Sequence, residues 1–64
     1  MAKINGEDVR AEGMSIAAYL AQAGFDTAKV VVEYNLEILS KDAYAATLIK
    51  ANDSIEVLTF VGGG

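Results

Sequence analysis

The last residues of the sequence are the ones best suited to chemistry. Gly62, Gly63 and Gly64 follow a strand-like run over residues 55–61, and we expect Gly64 to carry a free α-carboxylate. Because glycine has no Cβ, a glycine tail can enter clefts that are too narrow for other residues. Counting Val61, the extended tail reaches about 13 to 14 Å. The pattern predicts that the carboxylate enters the active site of another protein while the folded body stays outside.

Two plainer explanations of this tail are a disordered chain end and a linker or cloning remnant. The rest of the composition bears on the choice. The sequence has no cysteine and no histidine, which excludes a disulfide, a thiol nucleophile, a zinc site of the usual ligands and a Ser-His-Asp triad. It also lacks the phosphate-loop motif Gly-x-x-x-x-Gly-Lys-Ser/Thr. We therefore expect no catalytic residue, metal or cofactor in this chain itself.

The charge balance bears on the class of partner. Nine acidic residues against five basic ones give a net charge of −4, and this opposes binding to a phosphate backbone. The apolar stretches are shorter than the roughly 20 residues of a membrane span, and the amino terminus lacks the pattern of a signal peptide. We expect a soluble cytoplasmic protein that binds neither nucleic acid nor membrane.

Local signals divide the first part of the chain into a hairpin and a helix. The pair Asn5-Gly6 lies between short apolar segments and is the strongest short-range signal for a two-residue hairpin turn. Ser15 is a good N-cap for a helix over residues 16–23, and Gly24 is suited to end that helix in a left-handed conformation. At 64 residues and 53% apolar composition, the chain must be stabilised by burial alone.

The second part of the chain is dominated by strand signals. Its predicted elements, in order, are a strand over residues 29–35, a short edge strand over 37–39, an irregular or partly helical segment over 40–50, a turn at 52–53 and a final strand over 54–61. We expect Tyr44, Leu48 and Ile49 to pack the irregular segment onto the core.

This order of elements predicts the fold. A single main helix cannot provide the crossovers of an all-parallel sheet, whereas a mixed sheet with one helix across a single face fits. We predict an α+β fold of the β-grasp (ubiquitin-like) type, with four to five strands. The domain is predicted to span residues 1–61, and residues 62–64 to form a flexible C-terminal tail.

Alternation along the final strand predicts a partner-binding face. Ile55 and Val57 would face the helix, which leaves Leu58 and Phe60 on the open side of the sheet, close to Val61. Aligned exposed apolar residues, aromatic ones above all, favour an interface at Leu58, Phe60 and Val61. The alternative is that Phe60 packs against Tyr34 or a neighbouring strand. Glu33 and Glu56 would either steer a basic partner towards the sheet or only solvate it.

Several segments resemble the small sulfur carriers of thiamin thiazole biosynthesis (the ThiS type), over the whole chain. The segments are Asn5-Gly6-Glu7, residues 30–35, Glu37-Ile38, residues 53–57 and residues 59–64 with their Phe-Val-Gly-Gly-Gly end. One departure is Leu36, which follows Asn35 where glycine is usual in that family. Leucine resists the positive φ of a type I′ turn, so the shape of this turn is the open question.

The resemblance implies a function for the tail. In such carriers the Gly64 carboxylate would be adenylated by an E1-like partner that uses ATP and Mg²⁺, with Gly62 and Gly63 threaded into that enzyme. A desulfurase or rhodanese would supply sulfur for the thiocarboxylate, and thiazole synthase would consume it. The chain would be a carrier and a substrate, not an enzyme. The alternatives are a carrier for molybdopterin or another sulfur metabolite, a ubiquitin-like protein modifier joined to lysines, and an interaction module with an incidental tail.

Overall fold

A computed structural model describes residues 1–60, and residues 61–64 lie outside the described part of the chain. The described elements, in chain order, are β1 (Ala2–Ile4), β2 (Glu7–Val9), α1 (Ile16–Ala23), a 3₁₀ turn (Thr27–Lys29), β3 (Val30–Tyr34), β4 (Glu37–Leu39), a second 3₁₀ turn (Lys41–Ala43) and β5 (Ser54–Thr59). The predicted hairpin, the helix, the strand over residues 29–35, the edge strand and the final strand are therefore confirmed, with β5 ending at Thr59 within the described residues.

The ends of α1 are fixed by the caps that the sequence predicts. The Ser15 side chain accepts a hydrogen bond from the Ala18 N–H at 3.0 Å, which satisfies one of the unpaired donors of the first turn. Gly24 adopts a left-handed conformation with φ 87° and donates its N–H to the Ala21 carbonyl at 3.2 Å. A glycine meets this requirement without steric strain. Both helix boundaries follow from local chemistry.

The strands form one mixed sheet with the order β2-β1-β5-β3-β4. The central strand β5 runs parallel to β1 and antiparallel to β3, whereas β2 and β4 form the two edges. One helix packs across one face of this sheet, which is the β-grasp arrangement. The predicted fold is confirmed.

The core lies between α1 and the covered face of the sheet. Its members come from the helix, three strands, the connection between β2 and α1, and the segment after β4: Ala2, Ile4, Ala11, Ile16, Leu20, Val30, Val32, Tyr44, Ile49, Ile55 and Val57. The prediction that Leu48 packs inwards is wrong, because its side chain is 52% exposed while Ile49 is 1% exposed. Leu48 forms an extended bridge with Ser15, and consecutive side chains of extended backbone point to opposite sides.

The β3–β4 turn takes the left-handed conformation in spite of its leucine. Asn35 has φ 52° and Leu36 has φ 72°, as a two-residue type I′ loop requires. The Asn35 N–H donates to the Ser54 carbonyl, and the Asn35 side-chain oxygen accepts from the Ser54 N–H, both at 2.8 Å. Its side-chain amide also donates to Asp53 at 3.2 Å. These bonds to a distant segment fix the turn, and Leu36 follows at a conformational cost of about 1 kcal/mol.

Candidate functional site at the end of the central strand

The strand that leads to the tail is held on both of its sides. Residues 55–59 of β5 pair with β3, and the Phe60 N–H continues that ladder by donating to the Lys29 carbonyl at 2.9 Å. On the other side β1 ends early, but the Asn5 side chain takes its place by accepting the Val57 N–H at 2.7 Å. The backbone is therefore anchored up to Phe60. Val61 and the three terminal glycines lie outside the described residues, so the predictions for them stay predictions.

The two faces of β5 differ in the way that alternation predicts. Ile55 and Val57 are 1% and 6% exposed, whereas Leu58 and Phe60 are 48% and 56% exposed. The placement of Leu58 and Phe60 on the open face is confirmed. The alternative that Phe60 packs against Tyr34 is wrong, because Tyr34 pairs with Ile55 near the start of the strand.

The register brings two further apolar residues to this face, and alternation along β5 alone does not reveal them. Val31 lies directly opposite Leu58, and Ile38 on β4 lies opposite Glu33 and is 70% exposed. We call Val31, Ile38, Leu58 and Phe60 the open apolar patch. The signal that would have found Ile38 is the two-residue loop before β4, because loop length fixes the register of a hairpin.

A pair of carboxylates lies within this patch. Glu33 and Glu56 are directly opposite each other on β3 and β5. Within residues 1–60 the ion pairs are Lys3 with Asp8 and the Met1 amino group with Glu12, so neither glutamate has a cationic partner in the described part of the chain. Like charges in directly opposed positions destabilise a sheet. The open face therefore carries negative charge across its middle.

The opposite end of β5 is built differently, around the buried carboxylate of Asp53. It accepts hydrogen bonds from the Tyr34 hydroxyl at 2.5 Å, the Lys50 N–H at 2.8 Å and the Asn35 amide at 3.2 Å. Burial raises the pKa of Asp53, but these hydrogen bonds outweigh burial and leave the pKa below its ordinary value. The hydrogen bond to Asp53 raises the pKa of Tyr34 to about 12. This satisfied cluster stabilises the fold.

Binding sites of other kinds have little support in residues 1–60. No group of three acidic, histidine or cysteine side chains is placed to hold a metal ion there. No helix in the described residues has the length and apolar content to cross a membrane. A shallow cleft of about 440 Å³ lies between α1 and the two 3₁₀ turns. Three of its six lining residues are alanines, and the amino group of Lys41, which also lines it, donates to the Ala28 carbonyl at 3.2 Å.

Comparison with known proteins relates the chain to one family. The thiazole synthase of Paramagnetospirillum magneticum is 42% identical over 62 residues, which cover 95% of this chain but 19% of that protein. The chain thus spans about a fifth of the length of that relative. The sulfur carrier protein ThiS of Bacillus subtilis is 36% identical over an alignment of 66 positions that covers all of both chains.

Solved structures and family models agree with these relatives. The crystal structure of the thiamine biosynthesis protein ThiS from Geobacter metallireducens matches with a TM-score of 0.79 and 34% identity, over 98% of this chain and 97% of that one. The model of the ThiS family matches residues 1–64. The match includes both the described fold and the glycine end, and the chain belongs to the ThiS family.

Proposed function

We propose that this chain is a sulfur carrier of thiamin biosynthesis, and that the carboxylate of Gly64 is the group that carries the sulfur. The observation that supports this most strongly is the family match over residues 1–64, which includes the three terminal glycines. The full-length similarity to the Bacillus subtilis sulfur carrier supports the same assignment. The anchored strand β5 leads directly to these glycines, so the body holds the point from which the tail begins.

The chemistry requires activation of Gly64 by a partner. A carboxylate is a poor electrophile, because it is anionic and its oxide is a poor leaving group. An oxygen of the Gly64 carboxylate would attack the α-phosphorus of ATP and release pyrophosphate, which gives an acyl-adenylate. The terminal sulfur of a persulfide on the donor protein would then displace AMP and form an acyl disulfide. Attack of a thiol of a partner protein on the donor's sulfur would break the S–S bond, which releases the thiocarboxylate and leaves a disulfide between the thiol and the donor. In this proposal the E1-like enzyme binds ATP and Mg²⁺, and the chain is the substrate.

Three partners follow from this sequence of steps. They are the adenylating enzyme, a sulfur-donating desulfurase or rhodanese, and a thiazole synthase that consumes the thiocarboxylate. The last is supported by the relative in which a segment similar to this chain is part of a thiazole synthase. The cytoplasm is the compartment we propose, because adenylation needs ATP.

Docking of the tail needs a second contact on the folded body. Ordering each flexible residue costs about 1 to 2 kcal/mol, and most for glycine. Contacts elsewhere must offset this loss. Leu58 and Phe60 are exposed on the open face next to the start of the tail, and we propose them, together with Val61, as the partner-binding face. Gly62 and Gly63 would then thread into the enzyme.

Intact mass spectrometry tests this proposal directly. The native protein should end at Gly64. Incubation with the adenylating enzyme of the same organism, ATP, Mg²⁺ and a sulfur source should replace one oxygen by sulfur. A chain that lacks Gly63 and Gly64 is the control and should stay unmodified. The proposal fails if the native protein continues past Gly64, or if the tail stays unmodified while Bacillus subtilis ThiS is modified by its own enzymes.

Two related functions are separated by the acceptor of the tail. A carrier for molybdopterin or another sulfur metabolite would show the same mass change but would not transfer sulfur to a thiazole synthase. A protein modifier would instead form isopeptide-linked ladders on denaturing gels. Growth of a thiamin-requiring strain with the intact chain, and its failure without Gly63 and Gly64, would support the thiamin assignment.

A further inference from the structure

We infer that the open apolar patch docks on a partner surface that projects an arginine side chain between Glu33 and Glu56. This inference rests on the proposed function, because it describes how the adenylating enzyme recognises the folded body of the carrier. The proposed role of Leu58 and Phe60 thereby gains a description of the partner. The partner surface should be apolar at its rim and cationic at its centre.

The register of the sheet places the parts of this site. Glu33 and Glu56 are directly opposed, and opposed residues of antiparallel strands have Cβ atoms about 4.5 to 5.5 Å apart. Val31 and Leu58 form the adjacent row towards the end of β5. Ile38 is the direct neighbour of Glu33 on its other side. The two carboxylates thus lie on a surface with apolar side chains on two sides.

The charges of this pair are not balanced by the described part of the chain. Lys3, the cation on the same face near the start of β5, is paired with Asp8 at 3.5 Å. Glu33 is half-buried and Glu56 is exposed, so a partner that covers the patch would remove water from both carboxylates. Opposed like charges lower the stability of the free sheet. Residues that lower the stability of the free protein are expected where they serve binding.

An arginine is the side chain that fits two opposed carboxylates best. Its planar guanidinium has five N–H donors and is more weakly hydrated than an ammonium group, so one group can bridge both carboxylates at a desolvated surface. Arginine is also enriched in protein interfaces, whereas lysine is depleted. A second copy of this chain is disfavoured as the occupant, because two patches face to face would bring four glutamates together at a net charge of −4 for each copy.

The position of the pair along β5 sets a distance that the partner must match. Glu56 precedes Gly64 by eight residues in the sequence, which span at most about 29 Å when extended. The arginine should therefore lie within about 29 Å of the site at which the enzyme forms the adenylate. Phe60 lies between the two, where the partner surface meets the start of the tail.

Substitution of the two glutamates shows whether they act in binding or in the stability of the fold. We would measure the affinity of the adenylating enzyme for E33Q, E56Q and the double variant, together with their melting temperatures. Each single change should raise Kd about fivefold and the double change about 30-fold or more, while the melting temperature stays the same or rises because the repulsion is removed. E7Q is the matched control, since Glu7 is exposed but lies opposite Ile4, on the side of the sheet away from the patch.

Turnover should change in the same way as binding. The KM for conversion to the thiocarboxylate should rise in the double variant with an unchanged rate at saturation, because the reacting group is untouched. If the double variant binds and reacts like E7Q while the wild type is converted, this inference is wrong and the proposed function stands. If the wild type is not converted, both fail. A melting temperature that falls in the glutamate variants would also overturn the inference.

The identity of the cation is tested separately. Bound carrier should protect one arginine of the enzyme from phenylglyoxal, and the double variant should not. A carbodiimide crosslink from Glu33 or Glu56 to a lysine of the enzyme would overturn the assignment to arginine, because a guanidinium does not form that amide.

Discussion

The two ends of β5 differ in whether their polar and apolar side chains are satisfied within the fold. At its start, Asp53 is 8% exposed and accepts three hydrogen bonds, and these fasten the β3–β4 turn to the sheet. Towards its end, apolar Leu58 and Phe60 are exposed, and in its middle Glu56 faces Glu33 without a cation from the described residues. A satisfied polar cluster stabilises the fold, whereas exposed apolar groups and unbalanced charge are typical of a binding surface. In the proposed function, the start of β5 therefore stabilises the fold and the rest of its open face binds the partner.

The largest effect that this contrast predicts is on the tail. Addition of one alanine after Gly64 should abolish conversion to the thiocarboxylate, because the reacting carboxylate moves to another residue with a Cβ. The melting temperature should not change. Intact mass and thermal unfolding measure the two results. Insertion of one glycine before Gly62 is the control, because it preserves the terminal residue and should retain partial activity.

At the start of β5 the effect should be on folding alone. Asp53→Ala removes the acceptor of three donors and should lower the free energy of unfolding by about 2 to 4 kcal/mol. Urea unfolding measures this change. The folded fraction should still be converted to thiocarboxylate with an unchanged KM. A raised KM at a temperature where the variant is fully folded would contradict the separation of the two ends.

The same cluster predicts a dependence of stability on pH. The folded-state pKa of Asp53 is depressed, so its contribution is present above the unfolded pKa and is lost as pH falls through the folded pKa. The pKa of Tyr34 is raised to about 12; its contribution is present below the unfolded pKa of about 10 and is lost as pH rises towards 12. In Tyr34→Phe the alkaline loss of stability between pH 10 and 12 should be smaller. An unchanged alkaline limb would contradict the hydrogen bond.

At the end of β5 a substitution should change partner binding and leave folding stability unchanged. Phe60→Ala should weaken binding of the adenylating enzyme by about 1 to 2 kcal/mol, because aromatic anchors dominate interfaces. Its free energy of unfolding should change by less than about 0.5 kcal/mol, as for exposed positions in general. Leu48→Ala is the matched control, since Leu48 is 52% exposed, close to the 56% of Phe60, but lies outside the open apolar patch. Equal losses of affinity in both variants would remove the patch from the interface.

The smallest effect concerns the turn at the start of the strand. Leu36→Gly should raise the free energy of unfolding by about 0.5 to 1 kcal/mol, because φ 72° is strained for leucine and not for glycine. Leu36→Ala keeps the Cβ, so it should give no such gain. If alanine stabilises the protein as much as glycine does, removal of an exposed apolar side chain is the cause instead of relief of strain.

Features with a local physical cause could be predicted from the sequence. The hairpin at Asn5-Gly6 and the caps of α1 at Ser15 and Gly24 depend on the residues themselves and their near neighbours, and the structure has them where expected. Alternation along β5 predicted the exposure of Leu58 and Phe60 in the same way. The pattern of hydrophobicity repeats every second residue in a strand, so a correct strand assignment also assigns its faces.

Features fixed by distant contacts could not be predicted. The conformation of Leu36 depends on hydrogen bonds between Asn35 and the distant residues Asp53 and Ser54. The turn propensities of residues 35 and 36 do not reveal these bonds. The place of Ile38 in the open apolar patch depends on the register that this turn sets. The apolar character of Leu48 predicts a place in the core, whereas the direction of its side chain depends on the bridge to Ser15.

The central place of β5 also has a mechanical consequence. If an enzyme pulls on the tail while it releases one carrier or takes up the next, the force runs along β5 and loads its hydrogen bonds to β3 and to β1 in shear. Such bonds share the load and must break together, whereas the bonds of an edge strand can be peeled off one at a time. The Asn5 side chain adds one more bond to this set, at Val57. In the proposed function, the tail can thus be withdrawn from a narrow active site while the body stays folded.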